Sequence, residues 1–267
     1  MTDRRFFVAL LWLPFLSFCR CFSAVAPELS RSCVGEVNAV LTDILASVSG
    51  DAANRYASAR TLAKMSGRTG TQLPQHELVY GELSVPVLAT LLDAVGVCEG
   101  DSFLDIGSGD GALVLGAAML FPQHLRVSRG LEIVPGLWER SQRHLELVQP
   151  KLSVPVEFLL GDVHSTQNSN FAGTTTSIPE LLNDSTLGVC FATTWSAGNS
   201  GPSQRSSLQR RALPKLSSAL SRMPKGARVV VVDGRLDCND GYQWQGDLKI
   251  QCPDTAPFSV AALYQRI

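Results

Sequence analysis

The chain has 267 residues, of which 45% are apolar and 18% charged, so it is long enough for one large domain with a buried core. This composition excludes disordered, collagen-like and coiled-coil proteins. The 23 basic and 24 acidic side chains nearly cancel, so the chain carries no overall charge that would attract nucleic acid or an anionic membrane. Seven cysteines form no CxxC pair and no cluster with metal-ligand spacing, so we expect neither a metal site nor a disulfide framework.

The first 21 residues have the pattern of a signal peptide. Arg4 and Arg5 precede an apolar run at 6–18, which is too short to span a bilayer comfortably, and small residues follow it. The alternative is a membrane-anchoring or buried N-terminal helix. Cleavage after Cys21 would expose Phe22 in the run Phe-Ser-Ala-Val-Ala-Pro, which resembles the bipartite plastid presequence of algae with secondary plastids. We therefore expect the secretory pathway or a secondary plastid rather than the nucleus, with no stable transmembrane anchor after cleavage.

Residues 22–75 are expected to form a separate segment ahead of the main domain. Apolar residues at 34–48 recur at helical spacing, and 52–65 is a second, more polar helical stretch. A linker rich in Gly, Thr and Arg follows at 67–74. This pattern predicts a helical extension, and the alternative is a largely unfolded transit segment. The main domain then covers residues 76–267.

The main domain alternates helices with short apolar strands. This alternation is typical of a doubly wound α/β fold, in which a largely parallel sheet is covered on both faces. The last two strands have no helix between them, so we expect an antiparallel hairpin at one edge. A segment at 164–179, rich in Ser, Thr and Asn, is interpreted as a loop. The predicted strands are 102–106, one ending at 132, 156–160, 187–193, 227–233, 247–252 and 258–265, and the predicted helices are 85–97, 111–121, one ending at 149, and 204–223.

A glycine-rich turn follows the first predicted strand. Residues 103–106 run into Gly-Ser-Gly-Asp-Gly at 107–111, where glycines let a ligand lie against the backbone at the carboxyl edge of the sheet. Glu132 ends the next predicted strand, at a position where an exposed acid can accept hydrogen bonds from both hydroxyls of a ribose. The alternative is a tight turn next to a solvated glutamate.

Two carboxylates distinguish between the ligands that such a turn could bind. NAD needs the spacing G-x-G-x-x-G and a helix N-terminus free for pyrophosphate, whereas this chain reads Asp-x-Gly-x-Gly-x-Gly. Asp105 and Asp110 would repel pyrophosphate and attract a cation. S-adenosylmethionine, which carries a sulfonium and an ammonium group, is such a cation.

These residues resemble a known class of enzymes. Residues 105–111 resemble motif I of the class I S-adenosylmethionine-dependent methyltransferases, Glu132 matches their ribose-binding acid, and Gly161-Asp162 resembles the position that contacts the adenine amine. Upstream, Val79-Tyr80-Gly81-Glu82 resembles the Dot-one (disruptor of telomeric silencing) lysine methyltransferases, in which the Tyr-Gly-Glu loop folds over the methionine end of the cofactor. The resemblance extends through Leu208–Val232 and the last strand.

The resemblance implies a Rossmann-like, seven-stranded class I methyltransferase fold, S-adenosyl-L-methionine as cofactor and a protein lysine as methyl acceptor. The cofactor-binding residues that it implies are Tyr80, Glu82, Asp105, Gly107, Ser108, Gly109, Gly111, Glu132 and Asp162. The residues implied for catalysis are Tyr80, Thr193 and Trp195. The structural alternatives are Tyr80 packed under the first helix, Asp162 in an Asx turn and Trp195 in the core.

The sequence departs from this family at the acceptor side. Thr193-Thr194-Trp195 stands where the family carries Asn-Asn-Phe, and Ala112 stands where it carries a Gln. Threonine can position a substrate but cannot act as a base at neutral pH. The missing base fits an enzyme that aligns two reactants, and it also fits a cofactor-binding relic. The alternatives are therefore a small-molecule methyltransferase and a catalytically inactive methyltransferase-like binding module.

The remaining polar and thiol side chains give no further site. We expect a basic stretch on the predicted helix 204–223 to be a solvated face rather than a nucleic-acid site. Cys98 and Cys190 lie in apolar runs and are expected to be buried thiols. The four histidines are scattered along the chain and are each interpreted as surface residues, namely His76, His124, His144 and His164.

Overall fold

The computed structural model describes residues 29–49, 57, 58, 61, 83–165, 176–192, 211–251 and 259–267. The strands are β1 Asp101–Ile106, β2 Leu125–Glu132, β3 Val156–Leu160, β4 Leu187–Phe191, β5 Arg211–Ala212, β6 Arg228–Val232, β7 Gly234–Arg235, β8 Tyr242–Ile250 and β9 Ser259–Arg266. The helices are α1 Arg31–Ser49, α2 Val85–Val95, α3 Ala112–Leu120, α4 Pro135–Val148, α5 Ile178–Asp184 and α6 Pro214–Leu220. The signal-peptide prediction, residues 1–21, lies outside this part of the chain.

Seven of these strands form one sheet in the order β3-β2-β1-β4-β6-β9-β8. The first five in this order are parallel, whereas β9 is antiparallel to both β6 and β8. The doubly wound sheet with an antiparallel hairpin at one edge is therefore confirmed. The strand order reverses between β1 and β4, and in such sheets ligands bind outside the carboxyl ends of the strands at this point.

Each face of the sheet carries its own hydrophobic core, because alternate side chains of a strand point to opposite faces. In β6, Val230 and Val232 join the core beneath α1, α2 and α3, while Val229 and Val231 join the core beneath α5 and α6. Burial on both faces explains why the parallel strands are continuous apolar runs. Cys98 and Cys190 are buried free thiols, as expected.

Helix α1 packs onto the main domain. Its residues Leu41 and Leu45 are buried in the same core as α2 and α3. The predicted helix at 34–48 is thus confirmed and is slightly longer. Of the second predicted stretch, residues 57, 58 and 61 are helical, and the others lie outside the described residues.

The predicted helix at 204–223 is wrong over part of its length. Arg211–Ala212 is the short strand β5, which pairs in parallel with β7, and the helix α6 begins only at Pro214. Leu213 precedes a proline, which disfavours helical dihedrals, and it has φ −123° and ψ 68°. Arg211 and Lys215 of the predicted basic stretch therefore lie on two different elements. Residues 204–210 are outside the described part.

Helix α5 begins inside the segment that was interpreted as a loop. The Ser177 hydroxyl oxygen accepts a hydrogen bond from the Glu180 backbone N–H, and the Ser177 N–H donates to the Glu180 carboxylate at 2.8 Å. This reciprocal pair is a capping box. It lies within a run of small polar residues, which concealed the start of the helix.

Candidate cofactor site

The turn after β1 has a backbone that requires glycine. Gly107, Gly109 and Gly111 have φ values of 80°, 57° and 91°, a region that other residues rarely adopt. At Gly111 a side chain would also collide with its surroundings, because a Cβ there would lie 2.5 Å from the ring of Phe158. The sequence therefore uses glycine at these positions to make a tight turn at the switch point of the sheet.

Strand β2 holds the first half of this turn. The backbone N–H groups of Gly107 and Ser108 both donate to the Leu131 carbonyl, at 2.8 and 3.1 Å. The next N–H donor of the turn, that of Gly109, donates to the Glu132 carboxylate at 2.7 Å. The turn and the carboxyl end of β2 therefore form one hydrogen-bonded unit.

Glu132 is buried, not exposed as expected. Only 4% of it is accessible, and its carboxylate accepts hydrogen bonds from the N–H groups of Gly109 and Val134. Burial raises the pKa of Glu132 and the nearby charge of Asp110 adds to this, while the backbone hydrogen bonds oppose it. The expectation of exposure is wrong because the glycine turn folds over the end of β2. A ribose-binding role for Glu132 stays a prediction.

Asp105 is a buried carboxyl near the end of β1. It is 3% exposed, and no hydrogen-bond donor or cation among the described residues contacts its side chain. Burial raises its pKa to about 8, and the negative charge of Glu132 contributes. A buried acid that is held partly neutral in this way fits a site for a positively charged ligand, because such a ligand would stabilise the ionised form.

Ser108 lies in the same turn but its side chain packs against β2. A Cβ added to Gly130 would lie 2.6 Å from the Ser108 Oγ. This oxygen is buried and has no hydrogen-bond partner among the described residues. Gly130 therefore gives the Ser108 side chain its space, and a contact between Ser108 and the cofactor stays a prediction.

Strand β3 brings Asp162 to the same edge of the sheet. The Gly161 N–H donates to the Glu132 carbonyl at 2.8 Å, which places the end of β3 beside the end of β2. Asp162 is half-buried, and its Oδ1 accepts a hydrogen bond from the His164 N–H at 2.9 Å. The Asx turn is therefore present, and the adenine contact stays a prediction. Asp105, Glu132 and Asp162 thus lie at or next to the carboxyl ends of three adjacent strands.

His144 is buried, so its interpretation as a surface residue is wrong. It is fully inaccessible within α4, and its Nδ1 lies 2.8 Å from the Asp110 carbonyl oxygen. The sequence held a signal for this, because His144 shares a helical stripe with the buried residues Leu137, Ser141 and Val148. His124 and His164 are half-buried, and His76 lies outside the described residues.

Four of the predicted site residues lie outside the described residues, namely Tyr80, Glu82, Thr193 and Trp195. Among the described residues of the chain, no group of three or more His, Cys, Asp or Glu side chains could hold a metal ion.

In the same part of the chain, no helix combines the length and the apolar character needed to cross a membrane.

Comparisons with known proteins find one family model and several solved structures that are similar to this chain. The family model of the histone methylation protein DOT1 matches residues 73–152, which include the turn and Glu132. No curated protein matches the sequence. Similar solved structures include magnesium protoporphyrin IX methyltransferase (ChlM) from Synechocystis PCC 6803, at 11% identity and a TM-score of 0.48, with 79% of this chain and 97% of that chain covered.

Two further solved structures are similar to this chain. Geranyl diphosphate C-methyltransferase from Streptomyces coelicolor A3(2) is 11% identical with a TM-score of 0.45, and the match covers 67% of this chain and 78% of that one. TrmN from Thermus thermophilus is 13% identical with a TM-score of 0.46, and the match covers 69% of this chain but only 49% of TrmN. The chain thus spans about half the length of TrmN. The strand order and the acid-flanked glycine turn are those expected of a class I S-adenosylmethionine-dependent methyltransferase fold, and residues 73–152 are similar to the DOT1 histone methylation proteins.

Proposed function

We propose that this protein transfers the methyl group of S-adenosylmethionine to a lysine side chain of another protein. The match of residues 73–152 to the DOT1 family model carries this proposal. The glycine turn is shared by the whole class of methyltransferases, so by itself it favours no acceptor. The matched region also contains Tyr80-Gly81-Glu82, which is the more discriminating segment.

The described residues fit the proposed cofactor. S-adenosylmethionine supplies, when bound, an electrophilic methyl group on a positively charged sulfur. Asp105 would offer this cation an ionised carboxylate, which no other cation of the described residues neutralises, and Glu132 would accept hydrogen bonds from ribose hydroxyls. The glycines at 107, 109 and 111 leave room for the ligand to approach the backbone closely.

Catalysis would then depend on how the protein holds the acceptor. A lysine ammonium must lose its proton before it can attack, which costs about 4.6 kcal/mol at pH 7 given its ordinary pKa of about 10.4. Burial of the amine in an apolar channel next to a cation lowers this pKa, so a dedicated base is not obligatory. We propose that Thr193 and Trp195 line the acceptor side, where a hydroxyl and an aromatic ring can orient an amine.

Labelled S-adenosylmethionine tests this proposal. The protein is incubated with the labelled cofactor and a cell extract, and labelled protein is hydrolysed and analysed for methyl-lysine. We expect methyl-lysine with the unmodified protein and with Glu146→Gln, a control at an exposed glutamate of α4, and a large loss with Glu132→Gln.

Other outcomes contradict the lysine proposal in distinct ways. Label found only in small molecules would favour a small-molecule methyltransferase. Cofactor binding without any turnover would favour a binding module.

We further propose that residues 1–21 direct the chain out of the cytosol. Cleavage after Cys21 would leave every described element intact, because α1 begins only at Arg31. In such a location nuclear histones would not be available as substrates, so the acceptor would be a different protein.

A further inference from the structure

We infer that His144 is a positioning residue that fixes the second half of the glycine turn for cofactor binding. This inference rests on the proposed cofactor site and extends it to a helix that lies outside the motif. His144 is fully buried in α4 and lies 34 positions after Asp110, the residue that it contacts.

The contact fixes both the partner and the tautomer of the histidine. The Nδ1 atom lies 2.8 Å from the Asp110 carbonyl oxygen. A carbonyl oxygen can only accept a hydrogen bond, so Nδ1 must carry a proton and donate it. The histidine therefore supplies a directional N–H donor, whereas an apolar side chain at this position would only fill the space.

The histidine contact reaches the second half of the turn. The first half is held to β2 through Leu131 and Glu132, and the Gly111 N–H donates within the turn, to the Ser108 carbonyl at 2.9 Å. Asp110 lies between two glycines with positive φ, and glycine has the most conformational freedom of any residue. A donor from outside the turn restricts the peptide group that follows Asp110.

Helix α4 is itself fixed to the strands that form the site. The Val134 N–H, at its N-cap, donates to Glu132 at 2.8 Å, and the Trp138 indole N–H donates to the Phe158 carbonyl at 3.0 Å. The Gln142 amide donates to the same carbonyl at 3.2 Å. Because these hydrogen bonds hold α4 against β2 and β3, the contact from His144 fixes the turn relative to both strands.

The test compares three substitutions in the full chain. Asparagine places an amide N–H near the position of Nδ1, glutamine places it near the position of Nε2, and leucine has no donor. We measure the dissociation constant of S-adenosylhomocysteine by calorimetry, the KM for S-adenosylmethionine, kcat and the melting temperature without ligand. We expect His144→Leu and His144→Gln to raise the dissociation constant and the cofactor KM about tenfold, with kcat changed less than about twofold, and His144→Asn to restore binding.

A matched control separates positioning from stability. Val148→Ala lies on the same buried stripe of α4 and should lower the melting temperature without changing the dissociation constant. If His144→Leu does not fold, the comparison of the asparagine and glutamine variants still decides. Equal binding by these two variants, or a similar loss of binding in Val148→Ala, would overturn the inference. Failure of the unmodified protein to bind S-adenosylhomocysteine would instead overturn the proposed function together with the inference.

Discussion

The backbone N–H of Gly109 donates a hydrogen bond to Glu132 Oε2 at 2.7 Å, so the acid that ends β2 holds the turn that ends β1. The other carboxylate oxygen accepts a hydrogen bond from the Val134 N–H at 2.8 Å, at the start of α4. One buried side chain therefore connects a turn, a strand end and a helix start. It should matter for stability as well as for ligand binding.

Glu132→Ala is expected to lower both the melting temperature and the affinity for S-adenosylhomocysteine. The substitution leaves two buried backbone donors without an acceptor, at a cost of about 1–3 kcal/mol each. Glu132→Gln should be milder because one acceptor oxygen remains. Thermal unfolding and calorimetry measure the two effects, with the exposed Glu146→Gln as control. A Glu132→Ala protein with an unchanged melting temperature would show that these hydrogen bonds contribute little.

Gly111→Ala is expected to disrupt the turn. Its φ of 91° strains any other residue, and the new Cβ would lie 2.5 Å from the Phe158 ring. The backbone strain alone should lower the free energy of unfolding by about 1–3 kcal/mol, and the collision should lower it further. Urea unfolding measures the total loss. Gly35→Ala is the matched control, because this position in α1 has nothing within 4 Å of an added Cβ. The control should gain about 0.5–1 kcal/mol, and equal losses in both variants would contradict the argument.

Asp105 is expected to make stability depend on pH. Its pKa is raised to about 8 in the folded protein, so between about pH 4 and 8 the folded state holds a proton that the unfolded chain has lost. The contribution of Asp105 to the free energy of unfolding is therefore fully present below about pH 4 and is lost as the pH rises to about 8.

Urea unfolding between pH 5 and 9 measures this dependence. Compared with Asp105→Asn, which does not titrate, the unmodified protein should lose up to about 1.4 kcal/mol per pH unit below pH 8 and no more above it. Parallel curves for the two proteins would show that Asp105 is not a protonated buried acid. The exposed Glu139→Gln serves as control and should follow the unmodified protein.

The mature protein is expected to begin between Phe22 and Arg31. Removal of residues 1–21 would leave α1 complete, whereas removal of α1 would take Leu41 and Leu45 out of the core. A chain that starts at residue 30 should keep the melting temperature of the mature form. A chain that starts at residue 50 lacks α1 and should melt at a much lower temperature. N-terminal sequencing of the native protein checks the cut itself. An intact Met1 would show that no signal peptide is removed.

The sequence was sufficient to predict the part of the site that depends on backbone chemistry. Phe103, Leu104 and Ile106 indicate a buried strand and the glycines at 107–111 mark the turn, so the predictions of the strand at 102–106, the turn and α3 are confirmed. The burial of Glu132 and His144 could not be foreseen in the same way. Both depend on how the turn and α4 pack over the strand ends, and these contacts join residues that are far apart in the sequence.

Local signals near the ends of elements were also ambiguous. The capping box of Ser177 and Glu180 starts α5, but it follows a stretch whose composition is typical of a loop. In the opposite direction, the predicted helix at 204–223 includes Arg211–Ala212, which instead pairs with β7. In the first case the cap decided where the helix starts, and in the second case the strand pairing prevailed over the predicted helix.

The position of β9 in the sheet has a consequence for synthesis. Strand β8 leaves the ribosome before β9, yet it reaches the sheet only through β9, which lies between β8 and β6. Until β9 is made, the valine-rich strand β6 has an open edge, and such edges are prone to pair with other chains. We expect a nascent chain arrested before residue 259 to need a chaperone to stay soluble, and to lose this need once β9 has docked.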